Sequence, residues 1–184
     1  MPRERGGPGV IMWTLLRRFL VVAALMFWLG GFTFYAAVVV PIGTAVLGTS
    51  RDQGFITRRV TVYLNLAGAV ALVPLAGDVA AGRDPSAWRR RARWGIWLGM
   101  LLTLALLAWL HPRLDALLDA QGMEILDRRA FRAGHRLYLW THTVQWGLGV
   151  LYIVSTLAAW RKEDFAAVKE GGKKEEGVRE VGAQ

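Results

Sequence analysis

Three histidines, His111, His135 and His142, carry most of the ligating chemistry that this 184-residue sequence offers. Neutral imidazole is the commonest protein ligand for metal ions and a common axial ligand of haem iron. Cysteine is absent, which removes disulfides, thiolate zinc sites, iron–sulfur clusters and covalently attached haem. A metal or haem would have to rest on His, Met, Tyr or carboxylate. Two of the histidines belong to a stripe. His135, Tyr138, His142, Gln145, Gly149, Tyr152 and Thr156 follow one another at alternating steps of three and four. Such steps return to one face of an α-helix.

The segment that bears the stripe has no Asp, Glu, Lys or Arg between Leu137 and Trp160. It is long and apolar enough to cross a bilayer. Lipid offers no hydrogen bonds, so a polar edge on such a helix must face other helices. The stripe therefore predicts the last helix of a bundle, polar face inward.

Three earlier apolar runs supply the partners. Spans are expected at about 19–40, 60–76, 94–110 and 137–160. The first apolar run exceeds the core of a cleaved signal, which predicts an uncleaved first span. In it Gly30 and Gly31 permit close helix contact, Trp28, Gly31 and Tyr35 share a face, and Pro41 kinks or ends the helix near Val40. Thr49–Gly54 reads as a polar turn. In the second span Arg58, Thr61, Asn65, Gly68 and Leu72 share a face, and Pro74 and Gly77 mark the exit. An Arg-rich loop, 78–93, follows. His111–Pro112 closes the third span. The connection to the fourth alternates leucines with charge and predicts one or two short amphipathic helices on the membrane surface, broken near Gly122. The fold class is thus all-α: a polytopic membrane protein with a four-transmembrane-helix bundle over 17–161 and short amphipathic surface helices. Residues 1–16 are expected to be disordered, and 162–184 to be a charged tail that starts helical and frays.

Composition agrees. The chain is 54% hydrophobic, with nine tryptophans and a net charge of +9. A basic excess confined to ends and loops suits the lipid bilayer as partner, and other membrane proteins within it, rather than nucleic acid. Of the 23 Lys and Arg, fifteen fall on the N-terminus, the middle loop and the tail. That bias predicts both termini in the cytoplasm, in the inner (plasma) membrane. The spans as drawn contain no carboxylate or cation, which argues against a proton-coupled carrier. Asp115, Asp119, Glu124 and Asp127 lie outside them and are spaced like solvated faces.

This topology gathers Tyr35, Thr61, Asn65, His142 and Gln145 in the outer half of the bundle. Two uses are open. One is a ligand site for haem b or copper, through His142 first, with His135, His111 or Tyr35. The other is structural, with Asn65, Thr61, Tyr138 and Gln145 hydrogen-bonding across helices to fix their register. The leading functional expectation is a non-enzymatic accessory or assembly component.

The strings FWLGGFTFYAAVVVP and FRAGHRLYLWTHTVQW add a resemblance. The first resembles the opening of the copper-resistance D domain and of related uncharacterised four-helix membrane families. The second is similar to the start of the last helix in those relatives. Trp28, Gly30, Gly31, Pro41, Phe131 and His135 are the matching positions. The resemblance implies a four-helix inner-membrane protein. Several relatives that handle copper or haem carry a His in the first helix, and Phe19–Phe27 has none.

Overall fold

Gly48, at φ +77°, is where the first long helix stops. That left-handed conformation suits glycine, and its N–H caps the helix by bonding the Thr44 carbonyl at 3.0 Å. The next residue starts the second helix. The Thr49 side chain accepts from the Asp52 N–H at 3.1 Å. Ser86 starts the third helix in the same way, accepting from the Arg89 N–H at 3.4 Å. Asp127 starts the fourth, its carboxylate accepting the N–H groups of Arg129 and Ala130 at 2.9 Å each.

The computed structural model describes residues 8–82, 84, 86–119 and 124–182. Helix α1 covers 8–47, α2 is Ser50–Ala81, α3 is Ala87–Asp115 and α4 is Arg128–Gly182. All four are long and apolar enough to cross a membrane. Successive helices run antiparallel, so α1 begins and α4 leaves at one end, here the terminal end. The opposite end is the far end.

Exposed aromatics mark both levels. On α3, Trp88 and Trp109 are exposed and 21 residues apart, about 31 Å at 1.5 Å per residue. That matches a hydrocarbon core of about 30 Å. Trp13 on α1 and Phe165 on α4 are likewise exposed towards the terminal end, and Phe34 and Trp140 towards the far end. Between the levels, Val21, Leu25, Leu29, Leu72, Leu75, Met100, Leu104 and Tyr152 form the main core. A second cluster, Leu107, Leu110, Leu114 and Tyr138, closes the far end.

The helices are longer than the apolar runs that announce them. Residues 8–16, expected to be disordered, begin α1, while 1–7 lie outside the described residues. The expected turn 49–54 is already helix from Ser50. The charged tail stays helical to Gly182. Continuity with a packed helix, and at Ser50 the Thr49 cap, carries these segments, which would not hold a helix alone.

Pro41 does not end α1. The helix widens into π turns over Met26–Gly30 and Tyr35–Val39 before continuing as Val40–Leu47. A π turn just ahead of a proline relieves the bond and space that the ring removes. Each π turn also rotates the helix beyond it, and a Cβ on Gly30 or Gly31 would meet nothing within 4 Å, Gly31 lining an open cleft with Val60, Leu64 and Ala67 of α2. The close approaches lie elsewhere: Gly68 against Trp28, Gly149 against Leu29 and Gly134 against Leu114.

The far-end connection also differs from expectation. Helix α3 runs through Pro112 to Asp115. A turn comes next, and Leu118–Asp119 (β1) pairs antiparallel with Glu124–Ile125 (β2), Leu118 opposite Ile125. Leu126 donates back to the Leu117 carbonyl at 3.0 Å. A connection this short gains more from closing a hairpin than from two helical nuclei. The expected break at Gly122 lies outside the described residues.

Candidate functional site

The stripe of α4 turns inward over most of its length. Tyr138, His142, Gln145, Tyr152 and Thr156 are all buried, with Gln145 at 3% and Tyr152 at 0% exposure. His135 is the exception. It is exposed although its neighbours Phe131 and Gly134 already pack against α3, and its ring stacks on Phe131 with centroids 5.6 Å apart. It takes no part in the interior group.

His142 sits between two rings. Phe32 of α1 stacks on it at 5.0 Å, and Tyr138 meets it edge-on at 4.8 Å. The Tyr138 hydroxyl accepts from the Asn65 side-chain amide of α2 at 3.1 Å. Asn65, Tyr138 and His142 therefore form one group, linking α2 to α4. Thr61 lies beside them, its hydroxyl bonded to the Thr57 and Arg58 carbonyls of its own helix at 2.7 and 3.0 Å.

Tyr35 does not join. Its hydroxyl bonds Thr57 Oγ1 at 2.9 Å and accepts from Gln53 Nε2 at 3.4 Å. The early start of α2 supplies both partners and holds Tyr35 in a separate group. His111 stays near the far-end surface. Its Nε2 lies 3.7 Å from Asp115, whose other oxygen takes the Arg58 guanidinium at 2.7 Å. The Tyr138 ring is 6.3 Å from His111. The three histidines are thus not gathered, and among the described residues no group of three or more His, Asp or Glu could hold a metal. Asn65 Oδ1, His142 Nε2 and Gln145 Nε2 are buried with no hydrogen-bond partner among the described residues.

A second polar group lies near the terminal end, where the sequence led us to expect no buried charge. Asp78 of α2 is fully buried, and so, at 1% exposure, is Arg93 of α3. Arg93 hydrogen-bonds Asp78 Oδ2, and Arg17 of α1 lies 3.3 Å from Oδ1. Trp160 of α4 donates its indole N–H to the same carboxylate at 3.1 Å. All four helices meet at this one side chain. Arg17 continues to Glu163 at 3.2 Å, and Arg18 clasps Asp164 at 2.8 Å. The group sits one to two turns inside Trp13, Trp88 and Phe165, below the aromatic level. Charge there is tolerated only when paired.

Pro74 and Gly77 hid this group, because they read as the end of the second span. Helix α2 passes both. Neighbouring side chains donate to carbonyls around Pro74: Trp97 to Leu72 at 2.9 Å and Tyr152 to Leu75 at 2.7 Å. The signal available was register, since Leu72, Leu75 and Val79 continue the buried face of Asn65 and Gly68, with Asp78 beside them.

No family model, no curated protein and no solved structure matches this chain.

Proposed function

We propose that this chain is a non-enzymatic integral membrane protein, an accessory or assembly component of the inner (plasma) membrane with both termini in the cytoplasm. One observation carries the reading: at two levels of the bundle, interior polar side chains bond one another across helices. Asp78 is shared by Arg17, Arg93 and Trp160, and Tyr138 is held by Asn65. Such contacts fix register and rigidity, which is the usual use of polar groups between membrane helices. The orientation rests on the fifteen Lys and Arg that the sequence gives to the N-terminus, the middle loop and the tail. The likeness to the copper-resistance D domain and its uncharacterised relatives belongs to the same proposal, as a statement about architecture.

A second reading is favoured by the unpartnered Nε2 of His142. A haem b or copper ion would use that atom first. Absorbance and metal analysis of detergent-purified protein separate the two. The accessory reading expects a colourless sample without stoichiometric metal. A Soret band or bound copper that disappears in His142→Ala would replace it with the second. A C-terminal reporter active only outside the cytoplasm would overturn the orientation.

A further inference from the structure

A groove runs along α4 on its lipid side, between that helix and Arg18 of α1. Leu157, Trp160, Arg161, Asp164, Phe165 and Val168 line it with Arg18. The helical positions 157, 161, 165 and 168 share a face, so the groove follows the membrane normal. Leu157 is exposed at hydrocarbon depth, and Phe165 and Val168 are exposed at and beyond the aromatic level. Between them lie two guanidinium groups. Arg161 has no carboxylate partner among the described residues, and its guanidinium lies 5.5 Å from the Phe165 ring, one turn nearer the terminal end. That reach brings its charge from hydrocarbon depth towards the headgroups. Arg18 lies over the Trp160 ring at 5.2 Å, clasps Asp164 at 2.8 Å and lies 3.6 Å from Glu163, a carboxylate it shares with Arg17. Arg18 is thus matched by carboxylates, and the unpaired Arg161 leaves the lining positive.

We propose that this groove seats an anionic phospholipid from the leaflet at the terminal end. Its phosphate lies against Arg161 and Arg18, and an acyl chain lies along Leu157. The match is in charge, in depth and in the order of the groups along the membrane normal. A guanidinium donates two hydrogen bonds to one phosphate. The proposal stands apart from the accessory reading, since it needs only the membrane crossing.

Native mass spectrometry of the full chain, loaded with dioleoyl phosphatidylglycerol or dioleoyl phosphatidylcholine, tests it. The native protein should retain the glycerol lipid in preference to the choline lipid. Arg161→Gln should weaken that retention about fivefold, the worth of one basic side chain near a lipid surface. Arg90→Gln removes a charge at the same end, outside the groove, and should leave retention near native. Arg161 has no ion pair to lose among the described residues, so an unchanged unfolding midpoint in Arg161→Gln verifies the fold. Equal retention of both lipids by the native protein would overturn the proposal. So would equal losses in Arg161→Gln and Arg90→Gln, which would mean a diffuse basic surface.

Discussion

Asp78 and Arg93 face each other across the loop that joins α2 to α3, fully buried and hydrogen-bonded. Removing Asp78 strands Arg93 below the membrane surface, whereas Asp78 without Arg93 keeps Arg17 and Trp160. Asp78→Leu should therefore cost about 3–5 kcal/mol in an unfolding titration, the scale for breaking a buried pair. The double variant Asp78→Leu/Arg93→Leu should be less destabilised than Asp78→Leu alone, because Arg17 keeps Glu163. Strictly additive losses would mean that the two side chains do not act on each other.

At the other end the comparable contact is neutral. Asn65→Leu and Tyr138→Phe each remove the amide–hydroxyl bond between α2 and α4. Each should cost about 1 kcal/mol, as interhelical bonds in membranes do. The two together should cost little more than one. Unchanged stability in Asn65→Leu would remove this bond from the account.

Packing predicts a steric result at Gly68. A Cβ there would stand 2.8 Å from Trp28 Nε1 and 3.1 Å from its Cε2, atoms of a rigid buried indole. Gly68→Ala should cost about 1–3 kcal/mol by overpacking. Gly31→Ala, where a Cβ meets nothing within 4 Å, should leave stability unchanged. The order of the two, read from thermal unfolding in detergent, distinguishes this packing from one in which the paired glycines of α1 make the helix contact.

Asp84, between α2 and α3, supplies a pH dependence. Asp84 bonds the Arg89 guanidinium and accepts from the Ser86 N–H at 2.8 Å. The Arg89 hydrogen bond holds its carboxyl below the ordinary value of 3.8. A carboxyl lowered in the folded state stabilises fully above its unfolded value and loses that contribution as pH falls through the lower, folded one. Stability owed to Asp84 should thus be constant near neutrality and decline only in acid. Asp84→Asn should flatten that acid limb; an unchanged limb would show that the pair contributes nothing.

Much of this was legible in the chain. Steps of three and four put Tyr138, His142, Gln145, Tyr152 and Thr156 on one face, and that face is buried because lipid leaves polar groups no alternative. The fourfold crossing was legible for the same reason. His135 obeys the same spacing yet is exposed, because spacing does not say which residues of a face the neighbouring helix covers, and α3 covers Gly134 instead. Gly30 and Gly31 misled, since π turns have no periodic signature and rotate everything beyond them. Asp78 and Arg93 were missed because charge near a span's end reads as loop, although the register of Leu72, Leu75 and Val79 carries Asp78 along. Only the pairing across four helices makes them interior.

The inward face of α4 is the claim on which the rest depends. The chain lacks cysteine, so single cysteines can carry nitroxide labels without a prior deletion. Oxygen accessibility in bilayers should be low at 142, 145 and 152 and high at 144, 151 and 154, following the buried and exposed sides of the helix. Labels at 142 and 145 as accessible to oxygen as those at 144 and 151 would contradict the bundle and its polar interior together.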